Sequence, residues 1–536
     1  MKHFCFYFLF GLLLLLSTAT TMQAQDSQRL KLCEEALESE EYDECRQYLS
    51  EELAENPKNP KAWLLLSKMY FGSLELDSTK MAAEKGLKYA TPKDSALRVS
   101  LYEILAYAEL GNDNQNIMLK IADKAVKEYP QLASAYSMRA GVYDVLEMKE
   151  EAIADYQMAI KLNPDGATDE MLSLAQYAWE ADDYEAAQSY AQQVLAKDST
   201  NDFAYSVLSA CYFQKQQYDK AIDLCLDHLD LPGSSKMLLL YADTIPANLV
   251  NERLLARHTA APNNVYYLRM LVVLSSQADQ KAETIDWLKK LLVVEPKSSY
   301  AASIAAIYTN QRNFDEAVPF MEQALTLAKD TLESKNTALA VKAAWYANQE
   351  MYDKTIGVLD TLVNDNPDDM NLFFQRAYIR LLKGGEDEKV LSELDQIIEQ
   401  HPYGEENAYL WKGWLCLKQG RLNEAKGAFR YAIDNEDADN PTYCTFLSQH
   451  FLGIDQTAKE TLQTVIDTPD QQVDQYFYAA AFYALIGDKP MAVRYLEIVI
   501  EKGYVDFYEI KNHPMLQSLK GYADYDNLLK KHLPNP

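Results

Sequence analysis

The 536-residue sequence is poor in glycine and proline, with only 18 of each. Sandwiches and barrels need such residues at their many turns, so this scarcity argues for helices instead. Positive charge is also scarce, because 51 basic residues face 80 acidic ones and the formal charge is −29. A nucleic-acid-binding protein needs a net basic face, so this charge argues against nucleic acid as a partner. Hydrophobic residues reach 48%, which allows an extensive core and excludes global disorder.

The sequence also lacks the short motifs of common catalytic and cofactor sites. It contains no H-E-x-x-H zinc motif, no G-x-S-x-G elbow, no Walker loop and no dinucleotide fingerprint. The seven histidines are scattered, and among 80 carboxylates a glycosidase-like pair cannot be singled out from chance pairs. We therefore predict that the chain is not an enzyme, and we expect no metal and no cofactor.

A long apolar run stands at the N-terminus, from Phe4 to Leu16. Lys2 precedes it, and small polar residues follow it up to Ala24, an order typical of a secretory signal cleaved after Ala24. The run is shorter than the roughly 20 residues that a membrane-spanning helix needs, and no later segment is apolar enough to span. An uncleaved anchor is the alternative. The signal resembles those of Bacteroides-like bacteria, which implies an exported, periplasmic protein.

A repeat with a period near 34 residues runs through most of the chain. Large residues four and seven apart lie on one helix face, and a small residue in each helix lets two helices approach closely. The template reads Tyr136-x2-Arg139-Ala140-x2-Tyr143, then Ala152-x3-Tyr156, Ala159 and Pro164. The small position of the second helix recurs at Ala83, Met118, Ala152, Ala187, Ala221, Thr284, Ala317, Thr355, Val390, Ala425, Ala458 and Ala492.

This pattern resembles the tetratricopeptide repeat, W-x2-L-G-x2-Y…A-x3-F…P. The resemblance implies an all-α fold, an α-solenoid that forms a right-handed superhelix of about 13–14 helix hairpins with a C-terminal helical cap. Prolines interrupt the pattern once, and there the sequence leaves a hinge and a rigid kink equally open. The predicted divisions are a signal peptide at 1–24, an N-terminal block at 25–230, an irregular junction at 231–264, a C-terminal block at 265–500 and capping helices at 501–536.

Two cysteines occupy the small positions of the first hairpin, Cys33 and Cys45. Helix backbones approach closely there, which suits the short Cα separation of a disulfide. An exported protein meets oxidising conditions, and a disulfide would stabilise the exposed first hairpin. The alternative is a pair of buried free thiols, because cysteine often fills small apolar sites.

In the tetratricopeptide family, ligands usually lie along the concave surface, on first-helix residues that do not serve the core. The resemblance places mostly apolar and aromatic residues at these positions. An exposed patch of this kind would mark an interaction site, and the alternative is packing between adjacent first helices. The candidates are Phe203 and Phe213 in the N-terminal block, with Leu172 and Trp179 before them, and Phe374, Tyr378, Leu381, Leu410, Trp414, Leu417 and Phe477 in the C-terminal block.

These observations predict a non-catalytic periplasmic scaffold or adaptor that binds a protein or peptide partner through this groove. The alternative is a glycan-capturing envelope protein similar to the SusD family, which also contains these repeats. That family carries a lipid anchor and large insertions between its repeats, and the sequence shows neither. The partner's identity and the oligomeric state stay open.

Overall fold

The computed structural model describes residues 28–110, 114–245, 248–328, 331–401, 405–436, 440–468, 472–504 and 506–532. Throughout these ranges the regular secondary structure is helical, with α-helices and a short 3-10 helix and no strand. This confirms the predicted all-α fold class. No helix in these ranges is both long and apolar enough to cross a membrane. The predicted signal at 1–24 lies outside the described residues.

The contacts divide the chain into two compact units, Met1–Arg257 and His258–Pro536. The boundary falls inside the predicted junction, 231–264. The described helices up to this boundary are α1 to α14, the last of which crosses it: Gln28–Glu38, Tyr42–Glu55, Pro60–Gly72, Leu76–Tyr89, Ser95–Ala108, Gln115–Glu128, Ala133–Val145, Lys149–Leu162, Thr168–Glu180, Tyr184–Lys197, Asp202–Gln214, Tyr218–Asp227, Pro232–Thr244 and Asn248–Ala260.

The second unit continues the same alternation of first and second helices and then adds shorter C-terminal helices. Its described α-helices, α15 to α30, are Val265–Gln277, Lys281–Val294, Ser298–Asn310, Phe314–Leu327, Leu332–Asn348, Tyr352–Asp365, Met370–Lys383, Asp387–Gln400, Glu406–Lys418, Leu422–Asp434, Tyr443–Phe451, Asp455–Asp467, Val473–Leu485, Lys489–Glu501, Phe507–Asn512 and Ala523–His532. A 3-10 helix, Pro514–Leu519, stands between the last two.

The tight turn inside most hairpins has one recurring geometry. After α3 the backbone of Leu74 is left-handed, with φ of 60°. The amide of Leu74 donates to the Phe71 carbonyl at 3.0 Å, and that of Glu75 donates to the Tyr70 carbonyl at 2.8 Å. This is the Schellman ending, which satisfies the last carbonyls of a helix and reverses the chain. The same conformation occurs at Glu40, Glu147, Asp182, Gln216, Asp279, Arg312 and Glu350, and at Gly420, Gly453 and Gly487.

Small residues allow the two helices of each hairpin to approach closely. Gly413 on α23 faces Phe429 on α24, and a Cβ built at Gly413 would lie 2.6 Å from the Phe429 ring. Alanines fill the small position of the second helix in many hairpins, as the repeat template predicts. They are fully or almost fully buried at Ala83, Ala152, Ala187, Ala221, Ala317, Ala425, Ala458 and Ala492.

Within each unit, the first helices of successive hairpins pack directly against one another. In the first unit α3 contacts α5, and in the second unit α17 contacts α19 and α23 contacts α25. In most hairpins the second helix packs between the first helix of its own hairpin and that of the next. The first helices therefore share one surface of each unit, which we call the inner face.

Candidate functional site: the inner face of the second unit

The C-terminal part of the chain covers the last hairpin and also lies against earlier first helices. The short helix α29 contacts α19 and α21, whereas the 3-10 helix that follows it contacts α27. We call residues 506–513 the docked segment and residues 514–532 the cap. The sequence predicted a cap over the last hairpin, but it did not predict that the chain returns to the inner face.

Polar contacts hold the end of the docked segment to an earlier hairpin turn. Lys511 Nζ lies 2.6 Å from Glu350 Oε1. Asn512 Nδ2 donates to Tyr352 OH at 2.9 Å and to Glu350 Oε2 at 3.3 Å. The Lys511 and Glu350 side chains are 39% and 36% exposed, so solvent screens this ion pair and it contributes about 0–1 kcal/mol. We call these four residues the latch.

The docked segment ends in a histidine enclosed by aromatic rings. His513 is fully buried. The ring centroids of Tyr378, Trp411, Phe477 and Tyr478 lie 6.3, 5.4, 5.0 and 5.7 Å from that of the imidazole. We call these four rings the cage. Burial lowers the pKa of His513 to about 3, so the imidazole is neutral at physiological pH.

The cage leaves polar atoms without partners. Nδ1 of His513 accepts from the Met515 amide at 3.3 Å, so the proton of the neutral ring is on Nε2. Among the described residues, neither this Nε2 nor Trp411 Nε1 has a hydrogen-bond partner, and Tyr378 OH makes no hydrogen bond of ordinary geometry. An unpaired buried polar group costs on the order of 1–3 kcal/mol. The centre of the docked arrangement is therefore polar, and its hydrogen-bonding groups are incompletely paired.

A carboxyl on the docked segment is close to the cage. Glu509 keeps part of its surface exposed, but burial of its carboxyl raises the pKa to about 8. Its charge is further disfavoured by Asp506 and Asp474, whose own pKa values burial also raises. Tyr504 OH donates to the Glu509 carboxyl, and this contact favours the charged form. The net result is a carboxyl that is mostly protonated at neutral pH.

The structure places the predicted groove residues of the C-terminal block around this contact or in the core beneath it. Three of them, Leu381, Leu410 and Phe477, are buried, at 8%, 0% and 2% exposure. They have the packing role that the sequence left open as the alternative. The other four are partly buried and pack against the same core, namely Phe374, Tyr378, Trp414 and Leu417.

In the first unit the predicted groove residues keep some exposure. Phe203 on α11 packs against the local core but is partly exposed. Phe213 is also partly exposed, and its ring stacks on Tyr241 at 4.6 Å between centroids. Of the two residues that precede them, Trp179 on α9 is partly exposed and Leu172 is buried.

Two of the four cage residues were missed by the sequence analysis. Trp411 and Tyr478 each follow a predicted groove residue by one position, Leu410 and Phe477 respectively. One position along an α-helix turns the side chain by about 100°. A count from the repeat template gave the right part of each helix but did not identify these two rings. The sequence offered no signal that His513 would lie among them.

The first hairpin contains a disulfide between Cys33 and Cys45, whose Cα atoms are 4.4 Å apart. Both residues are fully buried between α1 and α2. The four other cysteines in the described part of the chain are buried free thiols, Cys211, Cys225, Cys416 and Cys444. No group of three or more metal-binding side chains occurs among the described residues.

This architecture of stacked helix hairpins defines a helical-repeat protein. Family models described as tetratricopeptide repeat match residues 133–165, 178–230 and 301–334. The chain therefore contains tetratricopeptide repeats, which are generally protein-interaction modules and typically non-catalytic. No curated protein matches the chain.

Several solved structures are similar to parts of the chain. A tetratricopeptide repeat protein from Parabacteroides merdae is 13% identical, covers 56% of this chain and 99% of its own, and has a TM-score of 0.29. A thermophilic tetratricopeptide protein from Thermus thermophilus is 16% identical, with coverages of 34% and 97% and a TM-score of 0.29. YrrB, described as having an unusual peptide-binding site, is 16% identical, with coverages of 37% and 98% and a TM-score of 0.28.

Proposed function

We propose that the chain is a non-catalytic scaffold or adaptor that binds a protein or peptide partner on the inner faces of its two units. One observation carries this proposal. The inner face of the second unit already holds a polypeptide, the docked segment, against aromatic side chains. Aromatic anchors dominate the energy of many protein interfaces. A surface that accommodates the chain's own backbone in this way is suited to another peptide.

The first unit has a proposed binding surface of its own. Trp179, Phe203 and Phe213 lie on two successive first helices, α9 and α11, and each is partly exposed. A partner could bury the rest of these rings without unfolding the hairpins. The net charge of −29 favours a basic partner segment, whose association would be fast at low salt and slower at high salt.

We further propose that the protein works in the periplasm. The N-terminal sequence pattern is the primary support for export. The disulfide of the first hairpin agrees with an oxidising compartment, because disulfides are rare in the reducing cytosol.

A crosslinked pull-down from the native envelope tests this function. The bait is residues 25–536, compared with a Phe203→Ala/Phe213→Ala variant whose helical circular dichroism is unchanged. We expect the bait to capture a protein and the variant to lose it. The matched control is Val293→Ala, because Val293 is 83% exposed on a second helix, outside the inner face.

Two results would contradict parts of the proposal. Equal capture by both baits would show that Phe203 and Phe213 do not bind the partner. Binding of glycans on an array, combined with no captured protein, would instead favour a glycan-capturing envelope protein.

A further inference from the structure

We propose that the docked segment is a displaceable internal ligand, which occupies the peptide site of the second unit until a partner segment replaces it. This inference rests on the proposed peptide-binding function of the inner face and adds its regulation. The competing partner is a peptide that presents an imidazole or aromatic side chain to the cage and backbone carbonyls to its unpaired donors. The docked segment would then block the peptide site of the second unit when no partner is bound.

The two sides of helix α29 make different contacts. Phe507 and Ile510 belong to the large apolar core that contains both the cap and three of the cage rings. Tyr508 packs at the edge of the core formed by the earlier hairpins, and Lys511 and Asn512 belong to the latch. Release from the inner face therefore breaks the polar contacts of the latch, the edge contact of Tyr508 and the enclosure of His513 by the cage, and a competing peptide must replace them.

The docked state also leaves hydrogen-bond donors of the cage poorly paired or unpaired. Trp411 Nε1 is a donor on the wall of the site with no hydrogen-bond partner among the described residues, and Tyr378 OH has only contacts of poor hydrogen-bond geometry with Glu509 and Tyr478. The His513 ring that faces them is itself a donor at Nε2, so it cannot satisfy them. A peptide that brings carbonyl oxygens to these donors would gain hydrogen bonds that the internal segment does not make.

The latch is accessible to solvent and can be tested without disturbing the core. In the full mature chain, Lys511→Glu places a carboxylate against Glu350 and should shift the equilibrium of the docked segment toward the released state. Hydrogen exchange measured by mass spectrometry should then rise at residues 506–513 and stay unchanged in the other hairpins. A fluorescent synthetic peptide of residues 504–516 should bind this variant about fivefold more tightly than the natural chain.

Three further variants separate displacement from loss of structure. Glu350→Lys should release the segment equally but gain no peptide affinity, because the lysine of the peptide is then repelled as well. The double reversal, Lys511→Glu with Glu350→Lys, should restore the closed state. Lys530→Glu, at an exposed position of the cap, should change neither exchange nor binding.

A peptide with alanine in place of His513 should bind the Lys511→Glu chain much more weakly than the natural peptide. The proposal is overturned if Lys511→Glu raises exchange throughout the second unit, because the segment is then a fixed structural element. It is also overturned if the segment opens and no peptide binds. Neither result bears on capture of a partner by Phe203 and Phe213, so failure here and failure of the proposed function can be told apart.

Discussion

Glu509 is a carboxyl whose charge depends on whether the docked segment is in place. In the folded chain burial raises its pKa from 4.5 to about 8, and the groups near it are Asp506, Asp474, Tyr508, Tyr504 and Tyr378. A raised carboxyl pKa means that the folded state binds a proton more readily than the unfolded state does. The contribution of this carboxyl to the free energy of unfolding is complete below about pH 4.5 and is lost as the pH rises toward 8.

We expect Glu509→Gln to remove this pH dependence, because glutamine mimics the protonated carboxyl at every pH. The free energy of unfolding of the natural chain should fall relative to the variant between pH 5 and pH 8. The slope is at most about 1.4 kcal/mol per pH unit. Chemical denaturation of both proteins over this range measures the difference. Glu501→Gln, at an exposed position on α28, serves as the control, and parallel curves for Glu509→Gln would contradict the expectation.

At the scale of single elements, the hairpin of α23 and α24 provides a matched pair of glycines. Gly413→Ala brings a Cβ to 2.6 Å from the Phe429 ring, whereas a Cβ at Gly427 meets nothing within 4 Å. We expect Gly413→Ala to destabilise the second unit by about 1–3 kcal/mol through overpacking. Gly427→Ala should stabilise it by up to about 1 kcal/mol, because alanine favours the helix.

Thermal unfolding followed by circular dichroism compares these two variants with the natural chain. Equal effects at the two glycines would show that the close approach of the two helices does not limit the stability of this hairpin.

The elements could be predicted from the sequence because each hairpin is a local structure. The spacing of Tyr409, Gly413 and Ala425 already specifies which residues face each other across one hairpin. The contact of Lys511 with Glu350 has no such local signal, since 160 residues separate them. It depends on the curvature of the intervening hairpins. This curvature accumulates from small rotations between neighbouring hairpins. The sequence therefore revealed the repeats but not the segment that covers their inner face.

At the scale of the whole molecule, stability in a repeat array is carried by neighbouring hairpins. Removing the disulfide with Cys33→Ser/Cys45→Ser should therefore destabilise the first hairpins by about 3 kcal/mol. We expect faster hydrogen exchange in α1 to α4 and unchanged exchange in the second unit. Reduction of the natural chain should reproduce the effect, whereas an equal loss of protection in both units would contradict this local behaviour.

The latch changes how the second unit would respond to mechanical force. Glu350 is the residue with left-handed backbone in a hairpin turn, so the docked segment is bound to a tight turn of an earlier hairpin. In a simple array, tension applied at the C-terminus would unravel the final hairpin first. Here tension would first pull the cap away and then detach the latch, so the inner face would open under load before the repeats themselves unfold.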